Sequence, residues 1–514
     1  MFMILDGIWE FSWNKSLQEE PCFDTFAAVP GCFDAAGLYY PQQGVGSYRR
    51  KVSAGGKLRL KIASFGLHAD VFWDGKKIAG SSLAWSPLIV EFSTPAGEHE
   101  LIIRTNNFMA GHPLFREEYD FYNFGGIYDH VTLENIPDNE IRRLTVLPLD
   151  HNTGEVELRI ETSAEKLDIS FDGKKFTSID NTPQVRLKVP DFKAWSVENP
   201  ALHTVTVNEK TVSFGIRTLD WSAGKLKLNG REIKLIGVNR HESHPEFGAA
   251  TPESLIASDL IQIKKAGFNC IRGSHYPQRE FLFEMCDRLG LLVWEEPLSW
   301  GNSEKDLTDP AFLTAFEEQL KLTVSNSINH PSLIIHGFLN ECASNTDAGF
   351  AAIKRFIGIC HEMDPSRPTS FASNHPDDDK CFGISDIISI NVYPAWYSTD
   401  TPEEIHDALM KYMENMPQKP IIISEVGAAA IYGDHSGAPW SEEYQSDCIR
   451  NILETIKSEA CFTGVTLWLY CNANTYTAPP RARLRPRGFN NKGLLDEYRR
   501  PKLAWLDLLR SANS

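Results

Sequence analysis

The chain has 514 residues, a formal net charge of −17 and a sequence pI near 5.4. Its length predicts several domains, and its 42% hydrophobic and 11% aromatic content suits packed cores. The negative charge argues against nucleic acid or an acidic membrane as a partner, and the sequence has no run of about 18 apolar residues that could span a bilayer.

The beginning of the chain and its cysteines indicate a cytoplasmic protein. No basic region precedes the first apolar residues, and Asp6 interrupts them too early for a secretory signal. The ten cysteines are scattered, so the sequence has no CxxC motif for redox chemistry or metal binding. We therefore predict reduced thiols and a cytoplasmic location.

Two β-rich regions come first. Residues 1–136 contain short alternating apolar and polar segments divided by Gly, Pro and Asp, with a hairpin signal at Asp74-Gly75. This pattern predicts a jelly-roll β-sandwich. Residues 137–218 contain further short strands, which predict a small immunoglobulin-like sandwich, although without the cysteine pair of antibody domains.

From residue 219 to 514, apolar strand-like runs alternate with helical patterns such as 254–267 and 311–328. The runs are 233–240, 268–274, 291–297, 332–341, 368–373, 386–394, 420–428 and 464–470. Eight β/α units predict a (β/α)₈ TIM barrel. The alternative, a doubly wound sheet, would need a Gly-rich phosphate turn after the first strand, and GVNRHES provides none.

The predicted barrel strands end in polar and aromatic side chains, and active sites of such barrels lie at these ends. The residues are Asn239, Arg240, His241, Glu242, Ser274, His275, Tyr276, Glu295, Glu296, Asn340, Glu341, Asn391, Tyr393, Glu425 and Trp468, the last within strand eight. Glycosidic bond cleavage needs one protonated carboxyl to donate to the departing oxygen and another to attack the anomeric carbon. Because strands four and seven face each other across the mouth, Glu341 and Glu425 are the predicted pair.

A structural role is the alternative for any strand-end carboxylate, as a helix cap or an ion-pair partner. For Glu242, Glu295 and Glu296 that interpretation is at least as good as a catalytic one. No clear metal-ligand set is present, because HESH at 241–244 is one residue short of HExxH and follows a strand where that motif requires a helix.

Several strings resemble glycoside hydrolase family 2, the family of β-glucuronidases, β-galactosidases and β-mannosidases. They are LDGIWEFSW, VPGCFD, GVGSYRR, YDFYNFGGIYDHVTL, WSVENPALHTVTV and FGIRT before the barrel, and GVNRHESHPEFG, FNCIRGSHYP, NHPSLIIHGFLNE, ISINVYPAWY and KPIIISEVGA within it. The resemblance implies a retaining exo-β-glycosidase that acts on terminal β-linked sugars through a covalent glycosyl-enzyme intermediate. It implies no cofactor and no catalytic metal.

The resemblance also implies roles for individual residues. Glu341 would be the general acid/base, and Asn340 beside it would contact the sugar 2-hydroxyl. Glu425 would be the nucleophile. Tyr393 would hydrogen-bond and orient that nucleophile, and Tyr397 would approach the sugar.

Four further residues match substrate-binding positions of the family. His241 and His275 match the barrel histidines, and Trp468 matches the aromatic floor. Asp120 matches an acidic residue of the first domain that reaches the non-reducing sugar.

The segment after strand eight predicts which sugar is cleaved. Asn490-x-Lys492-Gly resembles the Asn-x-Lys motif with which β-glucuronidases bind the substrate carboxylate. A carboxylate in a dry pocket needs a cation and a donor in place of water. Residues 481–492 contain Arg481, Arg483, Arg485, Arg487 and Lys492 and no acid. We therefore predict a β-glucuronidase that acts on a small-molecule or oligosaccharide β-glycoside, as a homo-oligomer.

Three alternatives stay open at this point. A β-galactosidase is possible because an Asn-Lys-Gly string also occurs in relatives not known to prefer uronic acids. A β-galacturonidase is possible because the motif reads C6 and not C4. A carbohydrate-binding protein without activity is the alternative from another class, against which the intact Glu341 and Glu425 argue.

Overall fold

The computed structural model of the protein describes residues 1–35, 39, 41–115, 119–476 and 484–512. The chain divides into two units. The first consists of residues 1–137, 242–256 and 473–490, and the second of residues 138–241, 257–472 and 491–514.

The first unit contains an antiparallel sheet. Its strands, with the short strands beside it, are β1 (Phe2–Ile4), β2 (Gly7–Asn14), β3 (Thr25–Val29), β4 (Gly31–Cys32), β5 (Val45–Ile62), β6 (His68–Trp73), β7 (Lys76–Ser81), β8 (Leu88–Asn106), β9 (Gly126–Ile127) and β10 (Val131–Asn135). The sheet order is β1-β10-β5-β8-β6-β7, and β2 pairs with β3 and β5. Successive side chains point to opposite faces of a strand, so Leu58, Leu60 and Ile62 of β5 are buried in the core while Arg59 and Lys61 are not.

The second unit begins with seven antiparallel strands. They are β11 (Ile141–Asp150), β12 (Glu155–Thr162), β13 (Lys166–Phe171), β14 (Lys174–Asp180), β15 (Gln184–Lys188), β16 (His203–Val207) and β17 (Lys210–Phe214). They form one sheet in the order β11-β12-β15 and another in the order β14-β13-β16-β17. Leu144, Val156, Leu158, Ile169 and Val205 pack in one apolar core, so the two sheets share their interior.

The predicted barrel is confirmed, because eight parallel strands close on themselves in sequence order. A small sheet precedes them: β18 (Leu219–Asp220), β19 (Lys227–Leu228) and β20 (Arg231–Glu232). The barrel strands are β21 (Leu235–Asn239), β22 (Cys270–Gly273), β23 (Leu292–Glu295), β24 (Leu333–Asn340), β25 (Thr369–Ser373), β26 (Ile388–Asn391), β27 (Ile421–Val426) and β28 (Gly464–Leu467). Trp468 was predicted within the eighth strand, but it lies just after β28.

Helices separate most of the barrel strands. They are α1 (Glu253–Lys265), α2 (Glu280–Leu289), α3 (Pro310–Ser327), α4 (Asp347–Met363), α5 (Ile405–Met413), α6 (Glu442–Ser458) and α7 (Leu503–Ala512). The sequence explains where α3 begins, because Asp309 accepts a hydrogen bond from the Ala311 N–H and Pro310 occupies the first turn. Within the described residues, the helices lack the length and apolar character that crossing a membrane would require.

Two short strands, β29 (Ala473–Asn474) and β30 (Phe489–Asn490), pair within the first unit. In the second unit, Trp195 and Arg217 connect the antiparallel region to barrel elements. Trp195 is fully buried and its Nε1–H donates to the Asp287 carbonyl oxygen at 2.9 Å. The buried Arg217 donates from Nε to the carbonyl oxygen of Pro331 at 2.9 Å. Because Pro331 lies just before β24, this hydrogen bond fixes the position of the start of that strand.

The first unit should lose stability as the pH rises, because of His130. Contact with the Asp6 carboxylate raises the pKa of His130 to about 9, and Glu253 lies 3.2 Å from its Nε2. An imidazole whose pKa is raised on folding stabilises the fold fully below its unfolded value near 6.5, and this contribution is lost as the pH passes about 9. The side chain is 43% exposed, so after solvent screening we expect a contribution of about 1 kcal/mol.

The measurement is urea unfolding of the wild type and His130→Gln between pH 6 and 10, with a probe of the first unit. The wild type should lose about 1 kcal/mol more than the variant over this interval. Parallel pH curves for the two proteins would show that the ion pair contributes nothing.

Candidate active site

Glu341 and Glu425 lie at the carboxyl ends of two barrel strands. Glu341 follows β24, whose eight residues are all buried, and Glu425 is the fifth residue of β27. Glu341 has a left-handed backbone with φ +51°, and its N–H donates to the Ala372 carbonyl oxygen at 2.8 Å. A non-glycine residue in this conformation is strained and needs support from its surroundings, which the neighbouring strand β25 provides.

The buried guanidinium of Arg272, in β22, contacts the nucleophile candidate. Its Nη1–H donates to Glu425 Oε1 at 2.9 Å, and its Nε–H to Glu296 Oε1 at 2.7 Å. Its Nη2–H donates to Asn340 Oδ1 at 2.8 Å. Burial opposes the charge on Arg272, but Glu296 and Glu425 outweigh it and hold its pKa above the ordinary value. One cation therefore orients Glu425 and Asn340 together.

Asn391 and Tyr393, at the end of β26, contact both carboxyl groups. Asn391 Nδ2 donates to Glu341 Oε1 at 3.0 Å and to Asn340 Oδ1 at 3.1 Å. The Tyr393 hydroxyl donates to Glu425 Oε2 at 2.7 Å. Burial, and then the charges of Glu425 and Glu341, raise the pKa of Tyr393 well above its usual range, so the phenol keeps its proton. The charges of both carboxylates therefore contribute to the raised pKa of the same phenol.

His241, His275 and Trp468 form a buried aromatic cluster beside Glu425. The rings of His275 and Trp468 stack with centroids 5.3 Å apart, and the edge of His241 meets Trp468 at 5.3 Å. His275 Nε2 lies 3.7 Å from Glu425 Oε1. The structure thus brings together three residues that the sequence predicted separately.

Lys492 and Tyr397 are in direct contact. Lys492 is 2% exposed, and its Nζ donates to the Tyr397 hydroxyl at 2.7 Å. The rings of Tyr393, Trp396 and Tyr397 lie within 5.6 Å of that nitrogen. Because Tyr393 also contacts Glu425, the predicted carboxylate-binding lysine and the predicted nucleophile share a neighbour.

In the first unit, Asp120 and Asn490 lie together. Asn490 Nδ2 donates to Asp120 Oδ2 at 3.3 Å, and Arg485 forms a two-point ion pair with the same carboxylate. Arg485 was predicted as part of a stretch of five positive charges without acids, and Asp120 pairs with this one of the five. Arg481 and Arg483 lie outside the described residues.

The adjacent carboxylates Glu295 and Glu296 point in different directions. Glu296 pairs with Arg272. Glu295 accepts hydrogen bonds from the Gln278 N–H at 3.0 Å and from Ser327 of α3, and burial raises its pKa to about 7. Consecutive side chains of a strand alternate in direction, so the structural interpretation holds for Glu295, while Glu296 supports the site.

Arg272 was not predicted as a site residue, and Asn391 was predicted at a strand end without a role. A signal existed for Arg272, because it follows the apolar Cys270 and Ile271 in a short strand, and an arginine in such a position must be paired. The described residues contain no group of three or more His, Cys, Asp or Glu side chains placed to hold a metal ion.

The chain resembles known proteins both in sequence and in structure. Residues 220–504 match the family described as "Glycosyl hydrolases family 2, TIM barrel domain". A β-glucuronidase of Streptococcus agalactiae serotype V is 27% identical, over 80% of this chain and 74% of its own. A β-glucuronidase of Rattus norvegicus is 30% identical, over 82% of this chain and 69% of its own.

Among solved structures, a β-galacturonidase from Eisenbergiella tayi bound to galacturonate is 30% identical with a TM-score of 0.92. The alignment covers 100% of this chain and 97% of that one. The TM-score and the coverage show that the two proteins share their fold along the whole chain.

Arg272→Met should lower the free energy of unfolding by roughly 3–5 kcal/mol, because Glu296 and Glu425 would be left as buried unpaired carboxylates. The check is chemical denaturation of Arg272→Met, Glu296→Gln and the double variant. In the double variant the loss should be smaller than the sum of the two single losses, since the residues interact directly. Additive losses would contradict the pairing.

Proposed function

The chain belongs to glycoside hydrolase family 2, and from this we propose that it is a retaining exo-β-glycosidase of terminal β-linked uronic acids, glucuronic acid first. The observation that carries the proposal is the contact of Glu341 and Glu425 with one set of residues. Asn391 donates to Glu341, Tyr393 donates to Glu425, and Asn340 lies between, accepting from Arg272 and Asn391. Such sharing suits two carboxylates that act on one sugar.

The proposed reaction has two displacements. Glu425, oriented by Arg272 and Tyr393, attacks the anomeric carbon, while Glu341 gives its proton to the departing glycosidic oxygen. This forms an ester between the sugar and Glu425 and breaks the bond to the aglycone. Glu341 then takes a proton from water, whose oxygen attacks the anomeric carbon and releases the sugar with its original configuration.

A buried donor supports the proposed contact with the sugar. Among the described residues, the side-chain nitrogen of Asn340 is buried and has no hydrogen-bond partner. A buried donor without a partner is costly unless a ligand satisfies it. A sugar hydroxyl next to the anomeric carbon would do so, in keeping with the predicted role of Asn340.

Lys492 supports the choice of a uronic acid. A sugar carboxylate that leaves water needs a charge-assisted partner, and the Lys492 ammonium lies on the Tyr393 side of the site. The relatives named as β-glucuronidases point to the same class of substrate. Asp120 and Asn490 stay predicted sugar contacts.

A β-galacturonidase is the second candidate. The E. tayi enzyme with this activity matches the chain over its full length at 30% identity. A lysine that binds the C6 carboxylate does not distinguish glucuronate from galacturonate, because these sugars differ at C4.

Finer features of the architecture belong to the proposal as well. We propose a jelly-roll sandwich for residues 1–136 and an immunoglobulin-like sandwich for residues 137–218, before the catalytic barrel of residues 219–514. The cytoplasmic location, the homo-oligomeric state and the absence of nucleic-acid and membrane partners stay predictions.

The direct test is a panel of nitrophenyl β-glucuronide, galacturonide, galactoside, glucoside and mannoside, assayed with the wild type and Lys492→Ala. The wild type should turn over a uronide fastest. Lys492→Ala should lower kcat/KM for that uronide by about 10- to 100-fold, as for loss of a charge-assisted hydrogen bond, and change neutral-sugar turnover far less.

Controls separate the outcomes of this panel. Glu425→Gln and Glu341→Gln should each cut turnover of every substrate by orders of magnitude, which ties the activity to this site. Lys234→Ala removes a partly buried lysine that precedes β21 and whose ammonium contacts the Ile456 carbonyl oxygen at 2.6 Å; it should leave the substrate ranking unchanged. Equal losses on uronides and neutral sugars in Lys492→Ala would refute the uronidase proposal.

A further inference from the structure

The Lys492 ammonium is enclosed by three aromatic rings. Its Nζ lies 4.7 Å from the ring centroid of Tyr397, 5.3 Å from that of Tyr393 and 5.6 Å from that of Trp396. All three distances are within the roughly 6 Å at which a cation is attracted to an aromatic face. The rings come from one short segment, residues 393–397, which we call the aromatic segment.

Contacts with other elements hold the aromatic segment in place. The N–H groups of Trp396 and Tyr397 both donate to the Tyr393 carbonyl oxygen, at 3.2 and 3.1 Å. The Tyr444 hydroxyl of α6 donates to the Ala395 carbonyl oxygen at 2.5 Å. The ring of Trp440 packs edge-on against Trp396 with centroids 5.0 Å apart. The position of the Trp396 ring is therefore set by the fold around it.

We infer that Trp396 positions the Lys492 ammonium and thereby determines specificity for a carboxylate at C6; this inference rests on the proposed uronidase function. A lysine side chain has a flexible four-carbon stem with high rotamer entropy, so an unsupported ammonium would sample many positions. Fixing it before the substrate arrives removes that cost from binding.

Aromatic rings suit this task better than an acidic partner would. A carboxylate beside Lys492 would hold the ammonium but would also neutralise it and compete with the substrate. A ring face attracts a cation through its quadrupole and carries no net charge. The aromatic segment thus holds Lys492 without itself neutralising the positive charge of the ammonium.

Replacing Trp396 can separate an effect on sugar specificity from an effect on catalysis, whereas replacing Tyr393 cannot. The Tyr393 ring faces Lys492, but its hydroxyl also donates to Glu425, so its replacement would disturb the nucleophile. Trp396 contacts the lysine through its ring and packs against Trp440 on another side. Replacing Trp396 should therefore weaken sugar binding and leave the chemical step nearly unchanged.

The test compares Trp396→Leu, Trp396→Phe and the wild type on the uronide that the substrate panel identifies. Trp396→Leu should raise KM about 10-fold and change kcat by less than about 3-fold, since ground-state and transition-state binding are lost equally. Trp396→Phe should restore KM to within about 3-fold of the wild type, because it returns an aromatic face. Tyr397→Phe shows separately what the hydroxyl contact to Lys492 contributes.

Trp221→Leu is the control, since Trp221 is a half-buried tryptophan that packs against a separate apolar cluster, which includes Trp195 and Leu235. It should leave KM unchanged. A loss confined to kcat in Trp396→Leu, or Trp396→Phe behaving like Trp396→Leu, would overturn the inference. If Lys492→Ala lowers kcat/KM for the uronide and Trp396→Leu leaves KM unchanged, the inference alone fails. If Lys492→Ala leaves kcat/KM for the uronide unchanged, the proposed role of Lys492 fails and the inference falls with it.

Discussion

The catalytic centre depends on one buried cation, the guanidinium of Arg272. It has no exposed surface and is paired with Glu296 at 2.7 Å and Glu425 at 2.9 Å. A buried charge is tolerated only when opposite charges and hydrogen bonds replace its lost hydration. The ion pairs that offset the cost of burying Arg272 also hold Glu425 in one orientation before any substrate binds. Such preorganisation is the main electrostatic contribution that an enzyme can make to its reaction.

The two carboxylates have different supports that meet at Asn340. Arg272 and Tyr393 donate hydrogen bonds to Glu425. Asn391 donates to Glu341, whose left-handed backbone is supported by a hydrogen bond to β25. Because Asn340 accepts hydrogen bonds from both Arg272 and Asn391, it connects the residues that support Glu425 with those that support Glu341. Tyr393 extends this coupling outward to Lys492. In the proposed reaction, recognition of the sugar and its cleavage would therefore share residues.

The barrel and its two carboxylates could be predicted from the sequence, because buried parallel strands read as continuous apolar runs and each run ends where the site lies. The partners of these carboxylates could not be predicted in the same way. Arg272 meets Glu425 only when the barrel closes, and Asp120 meets Arg485 across 365 positions of sequence. Trp468 was placed inside a strand because apolar residues continue past the end of that strand at Leu467. Sequence patterns therefore indicate which residues are buried. They do not show which distant residues pair once the chain has folded.

The central claim is that Glu341 and Glu425 act on the two sides of one anomeric centre, with a covalent intermediate between two displacements. The most direct measurement is proton NMR of the reaction mixture during the first minutes of hydrolysis of the preferred aryl β-uronide, before the free sugar equilibrates between its anomers. Two displacements predict that the β-anomer of the released sugar forms first and the α-anomer grows in later. Initial release of the α-anomer would mean a single displacement by water, and would contradict the account.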